Sequence, residues 1–363
     1  MNGPHSIHDK IQGRYEIVGL IGKGGMQYVY RAKDMLLGRE VALKTPQNNS
    51  ALKRFARSAI VSAQVNHPNV AKTIDYIETE ERPYLVEELI VGEDLEHALL
   101  THVKQLDPYL VARVFHHLAK GLAASHHAKV LHRDIKPANI MVENGYQVAA
   151  IKITDFGIAK MAEEVINEAV EKGEDSISAS STAVGALPYM APESILDHKS
   201  VTLAADIWSV GALAYTLLTG EKPFGVGLKA VTKIVEARLP EYPSFLNAKT
   251  QFAPLVGSLC RIIELCLQKE PAKRPTADEL VTECGKLCYP IADRHFGTVR
   301  RLLYSGTCGF ISSQSGDVFF HQASVYGQAT SVAPGDKVMF SAFHGGGADR
   351  AHPVVKLAPA NVA

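Results

Sequence analysis

Short runs in which apolar and polar residues alternate open the chain. They read YEIVGLI, YVYRA and REVALK between Tyr15 and Lys44, each the length of a strand, with a glycine-rich turn between the first two. One helix is expected at 52–65, and strand texture resumes up to about Tyr84. From Asp107 to about Cys288 the period becomes helical. Asp107-Pro108 suits a helix start, since Asp can cap free N–H groups and Pro fits the first turn. Thr276-x-x-Glu279 reads as a capping box before a late helix. After His295 short β-rich runs return (GTVRRLL, CGFIS, DVFFHQ, KVMFSAF) at intervals that suit a small barrel. The junction CYPIADRHFG is short, which predicts a second domain close to the first.

The expected fold class is therefore α+β: a small β-rich lobe and a large helical lobe, followed by a small OB-type β-barrel. The expected divisions are an N-terminal tail at 1–14, a main domain at 15–289 and the barrel at 295–363. The stretch at 163–182, acidic and then Ser-rich, reads as a mobile loop.

Composition changes little in this picture. The 363 residues carry 38 Lys and Arg against 38 Asp and Glu, so net charge points to neither nucleic acid nor a membrane surface. The N-terminus lacks an apolar core of signal-peptide length, and the longest apolar-rich stretch, Val210 to Leu218, is too short to span a bilayer. The expectation is a cytoplasmic chain without a membrane partner. Five cysteines form no CxxC pair and read as buried reduced thiols rather than a redox or metal site. His116-His117 and His126-His127 fall on one expected helix, where packing or surface positions are expected over a metal site.

Candidate chemistry comes from loops. Transfer of a phosphoryl group needs a phosphate cradle, a cation on the phosphates, metal ligands and a carboxylate near the acceptor hydroxyl. Gly22-Lys23-Gly24-Gly25 lies between strand patterns, where backbone N–H groups can approach phosphate without an intervening Cβ. A plain hairpin turn would look the same. Lys44 ends a strand run. LHRDIKPANIM, residues 131–141, puts Asp134, Lys136 and Asn139 in one loop flanked by apolar residues, and Thr154-Asp155-Phe156-Gly157 follows a second strand-like run. So many charges in buried loops are costly unless they are paired or used.

With these motifs in order, the chain resembles protein kinases, specifically bacterial serine/threonine kinases of eukaryotic type. The resemblance implies ATP with Mg²⁺ (or Mn²⁺) as cofactors, protein Ser and Thr hydroxyls as acceptors, a bilobal fold and a role in bacterial signalling. It makes Ile21, Gly22, Lys23, Gly24, Gly25 and Val29 the nucleotide loop. Ala42 and Met141 would flank adenine, Lys44 would hold the α- and β-phosphates, and the hinge at Glu88 to Ile90 would read adenine. Asp94 would contact ribose. Asp134 would take the acceptor proton, Lys136 would meet the γ-phosphate, and Asn139 and Asp155 would bind the metal. Glu193 would pair with Arg274, and Asp206 would anchor the catalytic loop. Arg133 would receive a phosphate from Ser178, Ser180, Ser181 or Thr182.

The chain also departs from that family. The helix after Lys44 carries Ser58 where relatives have the Glu that pairs with the lysine. Glu87 stands just before the hinge, where an apolar residue or Thr is usual. Gln27 replaces the third loop glycine, and Ala186 replaces a Thr that bridges the catalytic Asp and Lys. Two readings of Glu87 follow: a substitute carboxylate for Lys44, or a group facing a water-filled back pocket. Two readings of the whole domain follow as well, an autophosphorylating kinase or an ATP-binding pseudokinase scaffold.

The C-terminal segment resembles a cold-shock domain, which binds single-stranded nucleic acid by stacking bases on aromatic side chains. Arg300, Phe310, Phe319 and His321 match its binding positions. Arg301, Cys308 and Gln322 stand where relatives have aromatics, although Arg301 could stack in their place. Weak binding of single-stranded nucleic acid and a protein-docking or regulatory role are both open.

Overall fold

The computed structural model describes residues 3–23, 27–47, 52–156, 185–197, 200–227, 229–329 and 331–358. The first lobe is built on strands β1 (Lys10–Ile11), β2 (Tyr15–Lys23), β3 (Gln27–Asp34), β4 (Arg39–Pro46), β5 (Thr73–Glu78) and β6 (Pro83–Glu88). They form one sheet in the order β1-β2-β3-β4-β6-β5. Alternation sets its two faces. Val41, Leu43, Tyr84 and Val86 bury one face against Tyr15, Ile17 and Tyr30. Leu85 turns the other way and packs on Phe55 and Ala59 of helix α1 (Leu52–Ser62). Ala42, Lys44 and Glu87 share that second face, with Ala42 opposite Glu87 and Lys44 opposite Leu85.

Helix α1 ends earlier than the expected residue 65. The Ser62 hydroxyl donates to the Ala59 carbonyl at 3.1 Å, a local bond that competes with helix continuation, and the chain turns ahead of His67-Pro68.

The helical lobe begins with β7 (Gly92–Asp94) and a π-helical turn at Glu96–Leu100 that the periodicity does not signal. Helix α2 (Pro108–His127) starts where the sequence places it. The Asp107 carboxylate accepts from the N–H groups of Tyr109 and Leu110, and Pro108 occupies the first turn. Strands β8 (Ile140–Glu143) and β9 (Ala150–Ile153) join β7 in a three-stranded sheet in the order β7-β8-β9. Then come α3 (Pro192–Leu196), α4 (Ala204–Thr219), α5 (Lys229–Glu236), α6 (Ala253–Cys266) and α7 (Ala277–Gly285). Both hydrogen bonds of the Thr276–Glu279 capping box form at the start of α7. Helix α4 is buried along nearly its whole length, with Trp208 stacked on Phe224 at 5.3 Å. Gly211 lets α6 approach closely, since a Cβ there would meet the Cβ of Cys266 at 2.5 Å.

The five cysteines are unpaired. Cys266, Cys284 and Cys308 are buried and Cys260 is partly so, but Cys288 lies beyond the end of α7 and is exposed, because its segment has left the helical spacing.

The C-terminal barrel comprises β10 (His295–Leu303), β11 (Cys308–Ser313), β12 (Gly316–His321), β13 (Val325–Tyr326), β14 (Lys337–Phe343) and β15 (Arg350–Lys356). The order is β12-β11-β10-β14-β15-β13, and a β12–β15 pairing closes it around Val299, Ile311, Phe320 and Phe340. The barrel has a second packed side. Tyr326, Met339 and Val355 belong to the apolar core of the helical lobe. Tyr326 meets Phe252 edge-on at 5.1 Å, and His352 stacks on Phe252 at 5.0 Å while sharing a 2.9 Å hydrogen bond with the Tyr109 hydroxyl. The connecting segment is pinned as well. Gln147 bonds both the N–H and the carbonyl of Arg294, and the Arg294 guanidinium donates to Asp107 at 3.0 Å with both side chains almost fully buried.

Removing one partner of a buried ion pair strands the other, at a cost of about 3–5 kcal/mol. Arg294→Ala is therefore expected to loosen the barrel from the helical lobe. Calorimetry should resolve a second, lower transition, and limited proteolysis should cut between 286 and 295. A single unchanged transition would show that the barrel does not depend on this pair.

Candidate active site

The lysine of the first lobe is the electrostatic centre of the cleft. Lys44 Nζ lies 2.7 Å from Glu87 Oε2 and 2.8 Å from Asp155 Oδ1, and the Lys44 and Glu87 side chains are almost wholly buried. The pairing of Glu87 with Lys44, one of two readings open from sequence, is present. It follows from register. Glu87 is diagonal to Lys44 on the same face of the ladder, a spacing that a long side chain spans.

Burial drives the Lys44 ammonium toward neutrality, but the two carboxylates outweigh it and hold the lysine charged. Burial also pushes Asp155 up, yet Lys44 and the hydrogen bonds from Lys44 and Gln27 leave its carboxyl below the ordinary range. At Glu87 burial prevails over Lys44, and its carboxyl sits above the ordinary range. One cation thus serves two carboxylates of unequal acidity.

Across the cleft, the loop after α2 is locked from behind. The Asp206 carboxylate at the start of α4 accepts from the N–H groups of His132 at 2.9 Å and Arg133 at 2.8 Å, and it meets His126 Nε2 at 3.1 Å. Arg133 and Asp155 take positive φ values of 69° and 63°, local conformations such anchoring must support. His132 Nε2 bonds the Thr154 carbonyl at 2.8 Å, tying this loop to the one that carries Asp155.

In front, Lys136 Nζ is 2.8 Å from Asp134 Oδ2, and Asn139 Nδ2 donates at 2.8 Å to both the carbonyl and Oδ2 of Asp134. Asn139 spends its nitrogen on Asp134, which leaves its side-chain oxygen as the acceptor end. That oxygen and the Asp155 carboxylate are hard donors suited to Mg²⁺ or Mn²⁺, and Lys44 offers positive charge for phosphates, so the residues fit a metal–nucleotide complex. The Ala186 substitution leaves Asp134 and Lys136 directly paired without a bridging hydroxyl.

The remaining sequence-predicted residues fall as follows. Ile21, Gly22 and Lys23 end β2, with Gly22 opposite Val29, and Ala42 lies opposite Arg31 in the adjoining β3–β4 ladder. Met141 lies on β8 opposite Asp94. The Asp94 carboxylate caps the π-helical turn by accepting from Glu96 and His97 and pairs with the His97 ring at 2.7 Å. Glu88 accepts from Lys152 Nζ at 2.9 Å, next to the lobe crossing at Ile90. Gly24, Gly25, Ser178, Ser180, Ser181 and Thr182 lie outside the described residues. Glu193 and Arg274 form a bidentate pair at 2.6 and 2.8 Å. The paired histidines are engaged separately, and no cluster of metal-ligating side chains occurs among the described residues.

On the barrel, Phe310 and Phe319 are cross-strand partners, edge to face at 5.8 Å, and Arg301 lies over the Phe310 ring at 5.3 Å. Arg300 is instead tied to Asp317, and His321 caps the turn at Ala323. Arg350, opposite Phe319 through the barrel closure, had no signal in the sequence.

The arrangement is two-lobed, with a lysine-bearing sheet in one lobe and an Asp-Lys-Asn loop in the other. The protein kinase domain model matches residues 15–284, and the 'cold-shock' DNA-binding domain model matches 295–357. The chain belongs to the protein kinase family and carries a C-terminal cold-shock domain. It is 32% identical over 277 residues to the serine/threonine-protein kinase pkn3 of Myxococcus xanthus, covering 73% of this chain and 48% of that protein. It is 31% identical over 280 residues to PrkC of Bacillus subtilis (76% and 40%) and 32% identical over 276 residues to PknA of Mycobacterium tuberculosis (73% and 58%). The chain spans 40–58% of the length of these curated relatives. A crystal structure of Rad53 1-466 in complex with AMP-PNP shares the fold, with a TM-score of 0.56 at 24% identity over 74% of this chain and 64% of that one.

Burial raises the Asp206 carboxyl, but the hydrogen bond and charge of His126 and the backbone donors outweigh it and hold the group below the ordinary range. A depressed carboxyl stabilises the fold fully above its unfolded value of about 3.9, and that contribution disappears as pH falls through the folded value. Asp206→Asn is expected to lower stability at pH 7 and to flatten the loss of stability below about pH 4. Thermal unfolding across pH checks this, and parallel curves for the two proteins would contradict it.

Proposed function

We propose that this chain is a serine/threonine protein kinase that transfers the γ-phosphoryl group of ATP to Ser and Thr hydroxyls of protein substrates, itself included. The observation that carries the proposal is the Asp134–Lys136–Asn139 cluster, closed at 2.8 Å and braced by Asp206, facing a charged Lys44–Asp155 pair. When bound, Mg²⁺–ATP supplies the transferable group and neutralises its phosphate charge. Asp134 takes the proton of the acceptor hydroxyl, and Lys136 beside it stabilises charge on the transferring group. Asn139 and Asp155 hold the cation, Lys44 orients the phosphates, and Glu87 orients Lys44. Ile21, Gly22, Lys23, Gly24, Gly25 and Val29 enclose the nucleotide, Ala42 and Met141 flank its base, Glu88 and Ile90 read the base edge, and Asp94 meets the ribose.

The kinase domain is assigned to 15–289 and the barrel to 295–363. Ser178, Ser180, Ser181 and Thr182 are proposed as regulatory phosphosites on their sequence position alone. No helix among the described residues is long and apolar enough to cross a membrane. A cytoplasmic location is proposed from the sequence alone.

We infer in addition that the β10–β12 face binds single-stranded nucleic acid weakly. The barrel docks on the helical lobe through Tyr326, Met339 and Val355, whereas Arg301, Phe310 and Phe319 pack on one another. Arg301 over Phe310 restores part of the stacking area that the missing aromatics would supply.

Incubation with labelled ATP and Mg²⁺ tests the first proposal. Wild type is expected to incorporate label, Asp155→Ala to lose it, and Asp134→Asn to fall by about 10²–10⁴-fold. Equal labelling of wild type and Asp155→Ala would leave the scaffold reading in its place. For the barrel, anisotropy with short single-stranded RNA and DNA at low salt should show binding that Phe319→Ala weakens by about tenfold or more. No binding at tens of micromolar would favour a docking role.

A further inference from the structure

Gln27 opens β3 at the position of the third loop glycine, and its side chain does not project into solvent. It is 8% exposed, and its Nε2 donates to Asp155 Oδ1 at 2.7 Å. The same oxygen receives Lys44 Nζ at 2.8 Å. A carboxylate oxygen offers about two lone-pair positions, so Oδ1 is filled. Among the described residues, the other oxygen has only a long contact, 3.4 Å, from the Thr154 hydroxyl. At the far end of the same amide, Gln27 Oε1 is buried with no hydrogen-bond partner. An unpaired buried acceptor is costly. The amide accepts that cost in an orientation that gives its nitrogen to Asp155.

We propose that Gln27 is a positioning residue acting through Asp155, and that it sets how much divalent cation the nucleotide site requires. The proposal rests on the reading of Asp155 as the cation-binding carboxylate. Without a cation, Gln27 and Lys44 together fix the Asp155 carboxylate and neutralise its field. A cation that binds Oδ1 must displace one of these donors. Gln27 is the neutral one, so it yields first. A glycine at this position leaves Oδ1 with Lys44 alone and open to the cation. The Gln27 side chain therefore links the nucleotide loop to metal loading, and the chain needs more cation than it would with the glycine.

Thermal shift of the full chain tests this without recourse to activity. The midpoint Mg²⁺ or Mn²⁺ concentration at which ADP raises Tm is measured for wild type, Gln27→Gly, Gln27→Asn and Asp155→Ala. Gln27→Asn keeps the amide but is one methylene too short to reach Oδ1, and it guards against a glycine variant that folds poorly. Both Gln27 variants are expected to lower the midpoint by about tenfold, equivalent to about 1.4 kcal/mol. Their Tm gain from ADP with chelator should match that of wild type. A merely structural role would move Tm without moving the midpoint. An unchanged or raised midpoint in both variants, with cation dependence lost in Asp155→Ala, overturns the role of Gln27 alone. Dependence that survives Asp155→Ala overturns the reading of the site and this proposal with it.

Discussion

The cleft depends on one buried ammonium shared by two carboxylates. Removing Lys44 from water is costly, and a single partner repays that cost only with good geometry. Here Glu87 and Asp155 both lie within 2.8 Å of it, one from the adjacent strand and one from the loop of the other lobe. The first contact fixes the lysine within its own sheet. The second joins the lobes. Because burial holds the Glu87 carboxyl above the ordinary range while Asp155 stays below it, Asp155 is the more firmly ionised of the two. The carboxylate proposed to hold the cation is thereby kept negative.

The rest of the molecule secures the two ends of that contact. Register between β4 and β6 puts Glu87 on the face of Lys44, while Val41, Leu43 and Val86 bury the opposite face. On the other side, Asp206 grips the backbone of His132 and Arg133, and His132 reaches the Thr154 carbonyl next to Asp155. The Asp107 carboxylate does two things at once. It caps α2, the helix leading to this loop, and it pairs with Arg294 of the segment entering the barrel. The barrel is therefore attached to the start of the helix whose end leads to the Asp134-Lys136-Asn139 loop.

Most of the fold was legible because its signals are local. Strand alternation, the Asp107-Pro108 start, the Thr276 capping box and the Asp134-Lys136-Asn139 spacing each follow from neighbours in sequence. The Glu87–Lys44 contact was legible as one of two alternatives, since strand period placed both residues without fixing their rotamers. What stayed hidden joins distant segments. The bond from Gln27 to Asp155 spans both lobes, although the missing glycine marked the position. The docking of Tyr326 and His352 on Phe252 needs the relative placement of two domains, which no periodicity reports. Arg350 enters the aromatic face only through barrel closure.

If Glu87 holds Lys44 as a helix carboxylate does in relatives, where this chain has Ser58, then phosphotransfer rate and nucleotide affinity should fall in Glu87→Met and recover in large part in the exchange Ser58→Glu with Glu87→Met. Activity in Glu87→Met equal to wild type would contradict that role.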